Sequence, residues 1–176
     1  MNLIRLTENF FISCSSVSNK VVLRVLVDLV PVITLIGKRQ ARAGNEFVYM
    51  GRTEKCIECP LRKVCCDKLE PDRSYTVISV REREHECPIH EGGVQLVEVE
   101  ESGATITLPT HQLFEGAVFT VHVRPCDNWD CEYHQACNPT GIKDGDRCRV
   151  EKVHKRAGLT CSRRRKLGLA DVNRVS

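Results

Sequence analysis

Two groups of four cysteines, Cys56, Cys59, Cys65 and Cys87, then Cys126, Cys131, Cys137 and Cys161, occur in one order in the two halves of the chain. A sequence with this pattern is constrained to fold as one small unit built twice. The spacing makes the duplication explicit. Gly44 and Phe47 recur 72 residues later as Gly116 and Phe119, and Cys59 and Cys65 recur at the same spacing as Cys131 and Cys137. Further along, Leu69, Val77 and Val80 match Ile142, Val150 and Val153 at 73, and Cys87 matches Cys161 at 74. Each half therefore runs strand, short turn or helix closed by glycine, strand, cysteine turn, strand, closing cysteine.

The strands follow from period-two alternation. Ala104, Ile106 and Leu108 alternate with Thr105 and Thr107, and Phe119, Val121 and Val123 with Thr120 and His122. Residues 94–100 read as a further strand. Residues 38–43 and 110–115 are short enough for single helical turns ended by Gly44 and Gly116, and Leu61, Val64 and Leu69 allow a short helix through the first cysteine turn. The expected fold is β-rich (α+β): two similar small β modules in tandem, each with a four-cysteine metal knuckle. The boundaries expected are residues 1–30 as an N-terminal extension or mis-assigned start, 31–101 as the first module and 102–176 as the second, with a basic C-terminal tail. Aromatic residues make up 5% of the chain, so metal sites would supplement modest cores.

Disulfides are the plain reading of many cysteines, but that reading belongs to secreted domains too small to make a core. At 176 residues with 11 cysteines, this chain is long enough for a core and leaves at least one thiol unpaired. Arg5 and Glu8 break up what would be a leader's apolar stretch. Residues 21–36 are interrupted by Arg24, Asp28 and Pro31 and fall short of the roughly 20 residues a membrane span needs. The chain reads as cytoplasmic, away from membranes, where clustered thiols bind metal or do redox chemistry. Disulfides remain the alternative if the protein works in a hyperthermophile.

The repeat sorts the remaining candidates. Cys148 aligns with Tyr75 inside a strand and reads as core. Cys66 aligns with Asn138 and reads as a spare thiol beside the first site, or a substitute for Cys65. Cys14 lies outside both repeats. His90, three residues after Cys87, is an alternative fourth ligand, and His134 reads as exposed or as a hydrogen-bonding neighbour of the second site. Glu98, Glu100 and Glu101 read as a solvated strand edge.

Two cysteines two residues apart can turn both sulfurs to one point while backbone amides donate to the thiolates. Four thiolates suit either tetrahedral zinc or a [4Fe-4S] cluster. Zinc sites more often use two tight CxxC pairs, and neither half has its second pair, so the spacing favours two iron-sulphur clusters over two zinc ions. A CxxC, five residues and another cysteine, with the fourth ligand distant, resembles the auxiliary cluster motif of radical enzyme maturases and that of CRISPR-associated iron-sulphur nucleases. The nucleases' carboxylate core has no counterpart here. No radical-initiating CxxxCxxC, P-loop, dinucleotide fingerprint, HExxH helix or GxSxG elbow occurs either.

With 26 basic and 23 acidic residues the net charge is +3, which gives no global field toward nucleic acid. Arg163, Arg164, Arg165 and Lys166 form one local basic run, able to meet phosphate or an acidic partner. Its plainer reading is a solvated tail.

The strings Thr34-Leu35-Ile36-Gly37, Gly44-Asn45-Glu46-Phe47-Val48-Tyr49, Glu54-Lys55-Cys56-Ile57-Glu58-Cys59, Lys63-Val64-Cys65 and Cys87-Pro88-Ile89-His90-Glu91-Gly92-Gly93-Val94 closely resemble the archaeal uncharacterised protein family 179. The resemblance covers residues 32–161. It implies that the two cysteine groups, Cys56, Cys59, Cys65, Cys87 and Cys126, Cys131, Cys137, Cys161, are iron-sulphur redox centres, and it implies no activity. Three function classes follow: an electron-transfer or redox protein with an unknown redox partner protein, a zinc-stabilised adapter for protein or RNA, and an enzyme using an iron with an open position.

Overall fold

The computed structural model describes residues 31–155, 159 and 161–175; the expected N-terminal segment and Cys14 lie outside them. Strands β1 (Val32–Gly37), β2 (Glu46–Tyr49), β3 (Arg73–His85) and β4 (Val94–Glu101) form one four-stranded sheet. Two one-turn helices, α1 (Glu54–Ile57) and α2 (Arg62–Cys65), lie between β2 and β3. The second half repeats this with β5 (Ala104–Pro109), a 3-10 turn (Thr110–Gln112), β6 (Val118–Thr120), helix α3 (His134–Cys137), β7 (Arg147–Lys155) and β8 (Leu167–Arg174). The strand orders are β1-β4-β3-β2 and β5-β8-β7-β6, antiparallel throughout.

The repeat extends to hydrogen bonds and bulges. Gly44 and Gly116 both have φ +81, a left-handed conformation that glycine adopts without strain. Their amides donate to the equivalent carbonyls of Val77 (2.8 Å) and Val150 (2.7 Å). The pairing register shifts between Val77 and Ser79 and, equivalently, between Val150 and Lys152, which curls each sheet at the same place.

Each sheet closes over its own core, and the two cores correspond residue by residue. Ile36, Ala41, Leu69, Tyr75, Val77, Val97 and Val99 in the first match Leu108, Leu113, Ile142, Cys148, Val150, Ala170 and Val172 in the second. The larger Leu113 and the smaller Cys148 offset one another, as close packing requires. Cys148 is 0% exposed, and burial pushes its thiol up to about 11, so it packs as the small hydrophobe expected. Cys148→Ala should therefore leave metal content unchanged and cost about 1 kcal/mol, read by denaturant unfolding beside elemental analysis.

Two expectations are corrected. The strand expected through Phe119, Val121 and Val123 is only Val118–Thr120, so Val121 and Val123 lie beyond its end. Glu98, Glu100 and Glu101 do not form a solvated edge, because β4 returns between β1 and β3 as a central strand. Their side chains are partly covered. Glu98 accepts from Ser79 at 2.7 Å and pairs with Arg81, and Glu101 pairs with Arg174 of the second half.

That last pair belongs to the junction between the halves. Arg73 donates through Nη2 to Asp146 Oδ1 (2.8 Å), through Nη1 to the other oxygen of Asp146 and to the Gly141 carbonyl (3.0 Å), and through Nε to Glu70 (2.8 Å). Arg174 grips Glu101 with two bonds, of 2.7 and 2.6 Å, a bidentate geometry that is the strongest available to an ion pair. At the repeat spacing Arg73 is the counterpart of Asp146, Glu101 of Arg174 and Glu70 of Lys143. Equivalent positions in the two halves therefore carry opposite charges, and the halves meet with complementary faces. Gly141, with φ +84, allows the approach: a Cβ there would stand 2.9 Å from the Ser74 amide nitrogen.

Candidate metal centres

The cysteine turns are short loops whose backbones close on themselves in the same way in each half. In the first, the Cys59 amide donates to the Cys56 carbonyl (3.3 Å), Arg62 to Cys59 (3.1 Å) and Cys65 to Leu61 (2.9 Å). In the second, Cys131 donates to Asn128 (3.2 Å), His134 to Cys131 (2.9 Å) and Cys137 to Tyr133 (3.0 Å). Each turn is pinned to the first strand of its sheet. Thr34 donates to the Cys65 carbonyl at 3.0 Å and the Cys65 thiol to the Leu35 carbonyl at 3.4 Å. At the equivalent place Thr107 Oγ1 and Cys137 Sγ are 3.3 Å apart. Cys87 and Cys161 follow the ends of β3 and β7, so in both halves the fourth cysteine arrives on the loop leading into the last strand.

In the first half Cys56 and Cys65 each neighbour Cys66, with Cys87 near enough to act on Cys65 electrostatically. Cys66 is 6% exposed. Burial first, then the neighbouring Cys66 thiol, push Cys65 up to about 12. Cys56 moves the other way, because the Thr53 hydroxyl, 3.5 Å from its sulfur, favours the thiolate. The Tyr49 hydroxyl is buried beside Cys66 with no hydrogen-bond partner of ordinary geometry among the described residues. His90 packs over Gly37, where an added Cβ would meet its Nδ1 at 2.9 Å.

The second half is built with different neighbours. Cys126 is held by Asn138, which accepts from its amide and donates to its carbonyl, both at 3.0 Å. His134 Nε2 lies 2.9 Å from the same carbonyl, and its ring stacks on Trp129 at 4.3 Å; the histidine orients the turn as a neighbour. Cys161 lies in a loop turned by Arg164, whose φ is +56. The backbone amides of Arg165 and then Arg163 donate toward its sulfur, holding the thiol below its ordinary value. Where the first half has Tyr49 and Cys66, the second has Val121 and Asn138.

All ten cysteines among the described residues are free thiols. No three His, Cys, Asp or Glu side chains among those residues are gathered closely enough to hold a single ion. None of the helices described is long and apolar enough to cross a membrane. Of the basic run, Arg163 is paired with Asp127. Sequence reasoning missed Thr53, Tyr49 and Asn138. Asn138 alone carried a signal, as the residue aligned with Cys66.

Comparison with known proteins finds relatives similar over most of the chain. A UPF0179 protein of Methanocaldococcus jannaschii is 42% identical over 121 residues, which is 69% of this chain and 80% of the relative. One of Methanobrevibacter smithii is 41% identical over 136 residues, 77% of this chain and 93% of the relative. A third, of Methanothermobacter thermautotrophicus, is 37% identical over 130 residues, 73% of this chain and 88% of the relative. No solved structure matches. The model of the uncharacterised protein family UPF0179 matches residues 32–172, which takes in β1 to β7 and most of β8, and the chain belongs to that family.

Proposed function

We propose that the protein carries two iron-sulphur clusters, one in each half, and works in electron transfer or redox sensing. Cys56, Cys59, Cys65 and Cys87 would hold the first cluster, and Cys126, Cys131, Cys137 and Cys161 the second. The observation that carries this reading is the cysteine turn built twice on one hydrogen-bonding scheme, with the fourth cysteine delivered from the same loop of each sheet. The donor set fits such a cluster: four thiols per half, with hydrogen bonds already directed at the sulfurs of Cys56 and Cys161. Donors of this kind, together with burial, set the potential of a thiolate-bound cluster. When bound, the clusters would accept and release single electrons.

The surrounding residues do the tuning. Thr53 stabilises the Cys56 thiolate, and the Arg163 and Arg165 amides stabilise that of Cys161. Burial of Cys65 raises the cost of negative charge on the first site. The two centres would accordingly differ in potential.

Reductive titration of anaerobically purified protein tests this. The expected result is a brown sample whose broad visible absorption bleaches with dithionite in two steps and returns on reoxidation. A colourless sample that does not respond, with zinc bound, would instead support the adapter reading.

A further inference from the structure

Beside the second cysteine turn lies a pocket of about 380 Å³, within the size range of small-molecule sites, roughly 300–1,000 Å³. Its floor is apolar, made by Ile106, Leu108 and Val121, which are 2%, 4% and 4% exposed. Cys137 stands in its wall, and Arg124, Arg165 and Lys166 stand on its rim. His111 and His122 also line it, and none of its lining residues is acidic.

Several of the molecule's arginines are neutralised by a carboxylate, and among the described residues the three rim cations are not. Arg52, Arg62, Arg73, Arg81, Arg163 and Arg174 each face a carboxylate. Among the described residues, Arg124, Arg165 and Lys166 make no such ion pair. Nearby Asp144 is taken up by the Val123 amide at 2.9 Å and faces His122 at 3.9 Å. Arg165 is positioned by a 3.4 Å bond from its Nη1 to the Arg124 carbonyl. Cations held at the mouth of an apolar pocket with no anion to meet are complementary to a ligand that brings its own. Guanidinium groups suit phosphate, whose oxygens they can meet in pairs.

The first half supplies an internal comparison. At the repeat spacing Arg124 corresponds to Arg52, which is spent on Asp67 at 3.3 Å. Arg165 and Lys166 correspond to Gly92 and Gly93. The duplication therefore kept the metal turn in both halves and the cationic rim in one.

From this arrangement we infer that the second half carries a binding site for a small organic phosphate, of about nucleoside-monophosphate size, which the first half lacks. The phosphate meets Arg124, Arg165 and Lys166, and the body of the ligand lies on Ile106, Leu108 and Val121. Bound there, the ligand sits against Cys137. The site exists whether or not the cysteines hold a cluster, so its failure and that of the redox reading are separable.

Calorimetric titration of the purified full chain tests the inference, with AMP, inorganic phosphate and a short single-stranded oligoribonucleotide as probes. AMP should saturate one site per chain and bind more tightly than inorganic phosphate. An Arg165→Ala, Lys166→Ala double variant should weaken AMP at least about tenfold, the scale of losing charge-assisted phosphate contacts. Arg163→Ala and Arg52→Ala, whose side chains are paired elsewhere, should leave it unchanged. Absence of saturable AMP binding at millimolar concentration would overturn the proposal. So would AMP binding indifferent to the double variant, or an oligoribonucleotide binding far more tightly than AMP with steep salt dependence, which marks a backbone-tracking surface.

Discussion

Arg73→Met should lower the stability of the protein by about 3–5 kcal/mol, the range for removing one partner of a buried ion pair. The Arg73 side chain is 5% exposed and that of Asp146 10%, so the substitution strands a carboxylate between the two sheets and frees the Gly141 carbonyl. Replacing both partners, Arg73→Met with Asp146→Leu, should cost less than the sum of the two single changes, because the stranded charge goes with its partner. Urea unfolding of the four proteins measures this coupling. A single-variant loss below about 1 kcal/mol would mean that the halves are held by something other than this junction. Acid gives a second check. Burial alone would raise the Asp146 carboxyl, but the Arg73 guanidinium and the Lys143 amide outweigh it and hold it below its ordinary value. A depressed folded-state value means the stabilisation is complete above the unfolded value of about 3.9 and is lost as pH falls through the folded one. The gap in stability between wild type and Asp146→Asn should therefore narrow below about pH 4.

Cys131→Ala should remove one of two metal centres and leave the other, halving metal per chain, and Cys59→Ala should do the same from the other side. Because bound metal contributes folding energy outright, each should also lower Tm. A loss of several kcal/mol in a chain of this size corresponds to a fall on the order of 10 °C. With a separate core beneath each sheet, the damage should begin in the half that lost its metal, as an early melting step in Cys131→Ala. Elemental analysis and calorimetry on the same samples read both effects. Complete loss of metal from either single variant would contradict two independent centres.

The two-sheet build could be read from the chain because core positions and turn glycines obey local rules. Val77 and Val150, or Gly44 and Gly116, stand at one spacing and do one job. Cys148 was assignable to the core for the same reason. What could not be read depends on how strands return. Period-two alternation says that residues 94–100 form a strand but not that it inserts between β1 and β3, so its glutamates looked like an edge. The junction was hidden differently. Arg73 and Asp146 taken singly look like solvated surface, and only superposing the halves shows that Glu70, Arg73 and Glu101 become Lys143, Asp146 and Arg174, a sign inversion that marks two faces made for each other. Of the neighbours of the sulfurs, Asn138 showed only as the residue aligned with Cys66, and Thr53 and Tyr49 are ordinary residues until the turns fold.

The central claim, two cysteine centres holding iron and sulfide, is tested most directly by counting. Protein purified without oxygen should contain about eight irons and eight acid-labile sulfides per chain, four of each per cluster, with negligible zinc. About two zincs per chain and no sulfide, one ion for each four-cysteine site, would contradict the account and make the centres structural.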